Sequence, residues 1–145
     1  MFLGQYIHSF DDKSRLTVPS KYRESLSAGA YVVQGLDKTL WVLTQPAFET
    51  IYSRLMAMNL MDPAARSLRR LMLGNASHLE LDSAGRILIP QVLRELAGLE
   101  NEAILVGQGD YFEVWSPVNW NDEKTKLQEA ADNPDRYATL NLSTR

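Results

Sequence analysis

Two arginines in matching sequence contexts are the residues of this chain best suited to binding an anion. Arg15 closes residues 11–15, Asp-Asp-Lys-Ser-Arg, and Arg86 closes residues 82–86, Asp-Ser-Ala-Gly-Arg. A guanidinium presents its N–H donors in a planar fork, which pairs bidentately with phosphate or with the O6 and N7 atoms of guanine. We expect each arginine to lie at the strand side of a tight turn, where it can reach such a group.

The residues beside the two arginines differ. Lys13 adds a flexible ammonium charge suited to phosphate, whereas Ala84 stands in the matching place of the second segment. We therefore expect the first segment to contribute more than the second to anion binding.

Both segments belong to an internal duplication. The aspartates, arginines and prolines of residues 11–23 recur in residues 82–94 at a constant offset of 71 positions. Beyond the prolines the offset becomes 72, so that Gly35 matches Gly107 and Val42 matches Val114. A constant offset over so many residue types indicates one structural unit present twice.

Each repeat is predicted to fold as two strands, a helix, two further strands and a closing helix. Leu16 and Val18 alternate with polar residues, a pattern typical of a strand with one buried face, and Ile87 and Ile89 occupy the matching places. Aspartate and glycine before these strands favour turns, and the prolines after them suit the first turn of a helix. The predicted strands are Leu3–Phe10, Tyr31–Leu43, Ser77–Leu81 and Ala103–Trp115, with turns at Gly35–Lys38 and Gly107–Asp110, and the predicted helices are Pro19–Ala28 and Pro90–Ala97.

The closing helix of each repeat is predicted from its start signal. Thr44 precedes Pro46 and Ser116 precedes Pro117, and a hydroxyl followed by an early proline is typical of a helix N-terminus. We interpret the aromatic residues of these regions as core or interface residues: Phe48, Tyr52, Trp115 and Trp120.

A further helix is predicted between the repeats, from Asp62-Pro63 to Gly74. Its apolar residues face one way, and its arginines, Arg66, Arg69 and Arg70, face another. These arginines could touch nucleic acid, but arginines on a linking helix more often contact a neighbouring subunit. We therefore expect them at an oligomer interface.

Length and composition favour one compact domain made of two repeats. We divide its 145 residues into a first repeat at 5–52, a linking helical segment at 53–75, a second repeat at 76–131 and a tail at 132–145. The tail has little apolar periodicity, so we expect it to fray or to dock only in an assembly.

Several function classes are disfavoured by composition. The chain has no cysteine, and His8 and His78 lack metal-ligand spacing, so we expect no disulfide, metal or cofactor. The N-terminal residues contain no signal peptide or long apolar run, so we expect an intracellular protein without a membrane span. We also expect no small-molecule substrate. The net charge of −3 lowers affinity for nucleic acid but does not exclude it, since residues 54–79 are locally basic.

The duplicated motifs resemble those of a known family. Residues 11–23, Asp-x-Lys-x-Arg-Leu-x-Val-Pro-x-x-Tyr-Arg, and residues 82–94, Asp-x-x-Gly-Arg-Ile-x-Ile-Pro-x-x-Leu-Arg, are similar to the two signature repeats of the MraZ family. Residues 59–76 resemble the central helix of that family. The similarity covers all but about the last dozen residues, and two ordered repeats with a linking helix form a specific signal.

This resemblance implies a fold and a function. The fold would be α+β, a tandem-duplicated AbrB-type β-barrel in which the two halves exchange hairpins, with flanking helices. The function would be that of a cytoplasmic, nucleoid-associated transcriptional regulator, a repressor acting on double-stranded DNA at promoter direct repeats of the division and cell-wall gene cluster. Members of this family assemble into ring-shaped homo-oligomers.

The resemblance also marks candidate DNA contacts. Where the family usually has glycine, this chain has Ser14, which enters the left-handed region only at a cost. This residue either reshapes the turn or donates its hydroxyl to a phosphate. The candidates, with Arg15 first, are Lys13, Ser14, Arg15, Lys21, Arg23, Gly85 and Arg86, of which Lys21 and Arg23 are predicted on the exposed side of the first helix.

Three other interpretations remain open. Arg15 and Arg86 could simply be solvated or paired with nearby aspartates. The chain could be an AbrB-type antitoxin or a protein-binding scaffold. As a remote alternative, Asp11 and Asp82 could share one proton at a pseudo-twofold axis and act as an aspartic hydrolase, although neither lies in the motif of those enzymes. We predict no catalytic residue.

Overall fold

The computed structural model describes residues 1–144, and its element order follows the duplication. The first repeat contains β1 (Gln5–Ser9), β2 (Arg15–Thr17), α1 (Ser20–Leu26), β3 (Ala30–Gln34), β4 (Leu40–Thr44) and α2 (Gln45–Met56). A linking helix, α3 (Pro63–Leu73), follows. The second repeat contains β5 (Ser77–Leu79), β6 (Arg86–Leu88), α4 (Gln91–Leu96), β7 (Glu102–Gly107), β8 (Tyr111–Trp115) and α5 (Pro117–Ala131), and a 3₁₀ turn at Pro134–Tyr137 ends it. The predicted element order of the repeats is confirmed.

Strands of both repeats are combined in one sheet. The antiparallel six-stranded sheet has the order β1-β7-β8-β4-β3-β5. Replacing each strand by its counterpart in the other repeat gives the same order read from the opposite edge. The first strand of each repeat therefore pairs with the other repeat: β1 with β7, and β5 with β3. The predicted exchange of hairpins and the α+β class are confirmed by this pairing.

A second, two-stranded sheet joins the repeats at the arginine segments. β2 pairs antiparallel with β6, with Leu16 opposite Ile87. Both side chains are fully buried in the main core together with Val18 and Ile89. Because side chains alternate along a strand, the residues on either side of this pair point outward.

The predicted barrel is not closed by strand pairing. Among residues 1–144, β1 and β5 are the edges of the six-stranded sheet, and the two-stranded sheet is connected to it by a single bridge between Phe10 and Leu16. The arrangement is an open sheet with a ribbon across it. The first strands, at Gln5–Ser9 and Ser77–Leu79, are also shorter than predicted.

Helix starts follow the predicted side-chain signals. The side-chain oxygens of Thr44, Ser116 and Asp62 each accept a backbone N–H in the first turn of α2, α5 and α3, respectively. Such a cap stabilises a helix by about 1 kcal/mol. Leu55 of α2 and Met72 of α3 are buried against β3 and β4, so the linking helix packs on the first repeat.

The four aromatic residues interpreted as core or interface residues differ in burial. Trp115 at the end of β8 and Trp120 on α5 are buried, with their rings 5.4 Å apart. Phe48 stacks on Tyr31 at a centroid distance of 4.0 Å. Tyr52 remains 45% exposed, because it lies at the solvent edge of the apolar stripe of α2.

Candidate nucleic-acid interface

The first arginine turn is built by one aspartate. Asp11 Oδ1 accepts the backbone N–H groups of Lys13 and Arg15, both at 2.9 Å. The backbone carbonyl of the same aspartate accepts the N–H of Ser14 at 3.1 Å, and its own N–H donates to the carbonyl of Arg15 at 3.0 Å. Aspartate favours this geometry because its short side chain reaches donors two to four residues ahead. The turn therefore holds residues 11–15 in a single backbone path.

The second turn repeats these contacts. Asp82 Oδ1 accepts the N–H groups of Ala84 and Arg86 at 2.9 Å, and its carbonyl accepts the N–H of Gly85 at 3.0 Å. The two turns also exchange backbone hydrogen bonds, because Val18 donates to Gly85 and Ile89 donates to Ser14. Each turn is thus anchored to the strand end of the other repeat.

Each arginine is paired with the aspartate of its own turn. Arg15 Nε lies 2.7 Å from Asp11 Oδ2, and Arg86 Nε lies 2.8 Å from Asp82 Oδ2. Arg86 additionally places Nη1 3.3 Å from Asp11 Oδ2, so it bridges the two turns. Both arginines are thus paired with nearby aspartates, as one of the alternative interpretations allowed. A pair made through Nε leaves the outer Nη edge of Arg15 available to a ligand, since no described residue bonds it.

The lowered pKa values of the two aspartates argue against the shared-proton arrangement. Backbone N–H donation by Arg15 is the main cause that lowers the pKa of Asp11 from 3.8 to about 2, and the guanidinium adds to it. Backbone donation by Arg86 likewise lowers the pKa of Asp82. A dyad that shares a proton requires one raised pKa. The two carboxylates instead act as turn acceptors and partners of arginine.

The outward face of the two-stranded sheet carries both arginines. Arg15 lies opposite Leu88 and Thr17 lies opposite Arg86, on the side away from the buried Leu16–Ile87 pair. The side chains of the two arginines are about equally exposed, at 31% and 30%. The strand pairing thus presents two guanidinium groups on one narrow surface.

Ser14 adopts the conformation that its counterpart Gly85 adopts. The φ angle of Ser14 is 63° and that of Gly85 is 76°. The left-handed conformation costs a residue with a Cβ about 1–2 kcal/mol, but the turn keeps its shape. The hydroxyl of Ser14 accepts a hydrogen bond from Arg94 Nη1 at 2.6 Å, and this bond partly offsets that cost.

Arg23, the counterpart of Arg94 in the first repeat, lies over the second turn. A Cβ added to Gly85 would overlap Arg23 Nε, so any other residue there would displace this side chain. The Nε atom donates to the carbonyl of Val18 at 2.9 Å. The prediction that Arg23 lies on the exposed side of the first helix is wrong, because the second turn packs against that side. Arg23 is half-buried, whereas Lys21 is exposed as predicted.

The remaining candidate residues lie in two places, at the tip of the first turn and on α3. Lys13 is exposed at the tip of the first turn. On α3, Arg66 Nη1 donates to the carbonyl of Leu60 in the loop before the helix, and Arg69 Nη2 contacts Met56 Sδ at the end of α2. Arg70 is exposed. The α3 arginines therefore belong to a separate region, on the helix that links the repeats.

Arg94 is the residue that motif reasoning missed. It is the duplicate of Arg23 at the same offset as the aspartates, and this repetition was the available signal. It is half-buried on α4, donates from Nη2 to the carbonyl of Glu100 at 3.2 Å and lies 4.8 Å above the ring of Phe10. Its contacts with Phe10 and Ser14 hold both the start and the tip of the first turn.

The part of the chain that the structure describes contains neither a metal-binding cluster nor a membrane-spanning helix. Within residues 1–144, no three histidine, aspartate or glutamate side chains are arranged to hold a metal ion. In the same part of the chain, no helix has the length and apolar character needed to span a membrane.

Comparison with known proteins identifies the family. The family model described as "MraZ protein, putative antitoxin-like" matches residues 1–71 and again residues 72–142. A protein of Thermomicrobium roseum named "Transcriptional regulator MraZ" is 39% identical over 97% of this chain and 99% of its own length. Proteins of the same name from Nitrosospira multiformis and Nitrosomonas europaea are 46% and 44% identical, over 83% and 85% of this chain and 85% and 86% of their own lengths.

These names agree with the prediction that the chain is not an enzyme, since the relatives are named as regulators of transcription. The double match also agrees with the duplication, because each repeat is matched separately. On the motifs, the exchanged strands and these similarities together, the chain belongs to the MraZ family.

Proposed function

We propose that this protein is a sequence-specific DNA-binding transcriptional regulator that acts as a repressor. Its target is a set of direct repeats in the promoter of the division and cell-wall gene cluster, and it works in the cytoplasm at the nucleoid. The names of the relatives support regulation of transcription, and the surface chemistry of the ribbon supports DNA as the partner.

The pairing of β2 with β6 is the observation that carries the proposal. It sets Arg15 and Arg86 on one outward face of a two-stranded antiparallel ribbon. A ribbon of this width fits the major groove, where arginine pairs with guanine O6 and N7. Lys13 at the tip of the first turn reaches the neighbouring phosphates. Lys21, at the exposed start of α1, is a candidate for a further phosphate contact.

The aspartates make this surface selective. Because each arginine is already paired through Nε, its charge is largely balanced, and a phosphate gains little from the pair alone. The outer Nη donors must meet acceptors at a defined position to add binding energy. Arg15 has more of these donors free than Arg86, which also contacts Asp11. The first turn is therefore the main reader.

A ring-shaped homo-oligomer provides the affinity that one ribbon lacks. Linked copies make each later contact intramolecular, which raises avidity by roughly 10²–10⁴ when DNA repeats match the spacing of the ribbons. Neighbours in a ring are related by rotation and present their ribbons in the same sense, as direct repeats require. The exposed Arg70 of α3 is a candidate contact between neighbours, together with Arg66 and Arg69.

Fluorescence anisotropy tests the proposal. A labelled duplex from the promoter ahead of the protein's own gene is titrated across a salt series, beside a scrambled duplex of equal length. We expect tighter binding to the promoter duplex and a log–log salt slope of several phosphate contacts. Equal, weak binding to both duplexes would contradict the proposal.

A second candidate function is that of an antitoxin, favoured by the antitoxin-like description of the matching family model. An antitoxin would bind a small toxic protein as well as DNA. Affinity purification from the native host, followed by mass spectrometry, separates the two. An antitoxin predicts a stoichiometric small partner, whereas the regulator alone predicts only copies of the chain and DNA.

A further inference from the structure

The first turn contains a hydrogen bond that has no counterpart in the second. Arg94 Nη1 donates to Ser14 Oγ at 2.6 Å, and the two residues come from different repeats. The matching arginine, Arg23, meets a glycine and donates to a backbone carbonyl instead. A charged donor thus holds a hydroxyl at the tip of one turn only.

A hydroxyl that accepts a hydrogen bond still has its own proton to donate. Ser14 Oγ receives the bond from Arg94, so its O–H is directed to another acceptor. Among residues 1–144 no acceptor for this O–H is seen, and the side chain is partly exposed. Donation from a guanidinium polarises the hydroxyl and makes it a stronger donor in turn. The hydroxyl proton is therefore free to bond an acceptor outside the protein.

The arginine is held in place independently of the serine. Its Nη2 donates to the carbonyl of Glu100 at 3.2 Å, and its guanidinium lies over the ring of Phe10 at 4.8 Å. Its Nε is buried without a hydrogen-bond partner in the described residues, so each of the three guanidinium nitrogens is either bonded within the protein or buried. Arg94 therefore reaches an external ligand through Ser14 and not directly.

We infer that Ser14 is a phosphate-binding residue of the first turn and that Arg94 is its positioning residue. The ligand class is a backbone phosphate of the DNA that Arg15 reads, so this inference rests on the proposed function. Arg94 orients the hydroxyl, and it braces the left-handed backbone of Ser14 between Phe10 and α4. The second turn, with Gly85 in this place, has no equivalent donor.

A double-mutant cycle with DNA tests the inference. The variants are Ser14→Gly, which keeps the backbone conformation and removes the hydroxyl, Arg94→Gln, and the two combined. We expect each single variant to weaken binding of the promoter duplex about tenfold, and the double variant to be no weaker than either. Ser14→Ala gives a second measure of the lost hydroxyl, and thermal unfolding confirms that each variant folds.

The salt dependence separates an indirect role from a direct one. A neutral hydroxyl releases no counterion, so the log–log slope should stay unchanged in both single variants. A direct phosphate contact by Arg94 would lower the slope by about one. Arg136→Gln, which removes one arginine from the exposed tail, controls for the change in net charge and should leave the affinity within about twofold.

The outcomes distinguish the two proposals. If the unmodified protein binds promoter and scrambled duplexes equally, the proposed function fails. The inference about Ser14 and Arg94 is overturned in two other cases, both with the promoter preference intact. In one, Arg94→Gln costs the same affinity in the Ser14→Gly background as in the unmodified protein; in the other, Arg94→Gln lowers the salt slope.

Discussion

In the first turn Ser14 takes a left-handed conformation beneath Arg94, whereas in the second turn Gly85 takes the same conformation beneath Arg23. The backbones agree because both turns are organised by an aspartate that accepts the same set of N–H groups. The side chains have diverged around this common path. Duplication therefore preserves the geometry of the turn and leaves its chemistry free to differ.

The two arginines also differ in their ion pairs. Arg86 contacts both aspartates and joins the turns, while Arg15 contacts only Asp11. Lys13 adds a cation to the first turn, and the second has Ala84 there. On this comparison, we propose that the second turn supports the ribbon and that the first turn is the main contact with DNA.

Core substitutions should affect the two repeats equally. Leu16 and Ile87 face each other across the ribbon and are both fully buried. Leu16→Ala and Ile87→Ala should each lower the free energy of unfolding by about 3 kcal/mol, because each leaves a cavity in the shared core. Denaturant unfolding followed by circular dichroism measures this. Two separate transitions, or a cost confined to one variant, would contradict a single core built by both repeats.

Exchanging the turn residues should reveal their different surroundings. Gly85→Ser adds a Cβ that displaces Arg23 from its bond to Val18, so it should cost about 2 kcal/mol of unfolding free energy. Ser14→Gly relieves a left-handed conformation but loses the Arg94 bond, so its net effect should be below about 1 kcal/mol. Thermal unfolding of the pair provides the comparison, and equal costs would show that the arginines do not distinguish the turns.

The pH dependence of stability should reflect the aspartates. The pKa of folded Asp11 is about 2, below its ordinary value of 3.8, so its ionised form favours the folded state. This contribution is complete above about pH 4 and is lost as the pH falls toward about 2. Asp11→Asn keeps the side-chain acceptor, and its acid unfolding curve should be flatter over this range than that of the unmodified protein.

Asp82→Asn tests the same titration in the second turn. The pKa of Asp82 is lowered by the same kinds of contact in the second turn. Acid unfolding of the Asp82→Asn variant should flatten in the same direction. A curve as steep as that of the unmodified protein in both variants would mean that other carboxylates govern the acid transition.

Local features of the fold were predictable from sequence because local chemistry determines them. The caps at Thr44, Asp62 and Ser116 lie within three residues of the groups they bond. The turns at Asp11 and Asp82 follow equally from short-range acceptors. The open sheet was not predicted. The family resemblance implied a closed barrel, whereas in the structure β1 and β5 each pair on one side only and form the two edges of the sheet.

Contacts between repeats could not be read from local patterns. Arg94 and Ser14 lie 80 residues apart in sequence, and neither periodicity nor turn chemistry relates them. Arg23 was predicted exposed because helical spacing identifies a polar face but not what packs against it; here the covering element is the second turn. Candidate residues followed from the motif, while their division into ligand-facing and supporting side chains required the tertiary structure.

The affinity of Arg15→Ala and Arg86→Ala for the promoter duplex tests the central claim most directly. Arg15→Ala removes one partly exposed ion pair and Arg86→Ala removes two, so the expected losses of stability are about 1 kcal/mol or less and about 2 kcal/mol or less. Fluorescence anisotropy should show at least about a tenfold loss of promoter affinity for Arg15→Ala and a smaller loss for Arg86→Ala, with the preference over scrambled DNA reduced mainly in the first. Unchanged affinity in Arg15→Ala, with the protein folded, would contradict the assignment of the first turn as the reader of DNA.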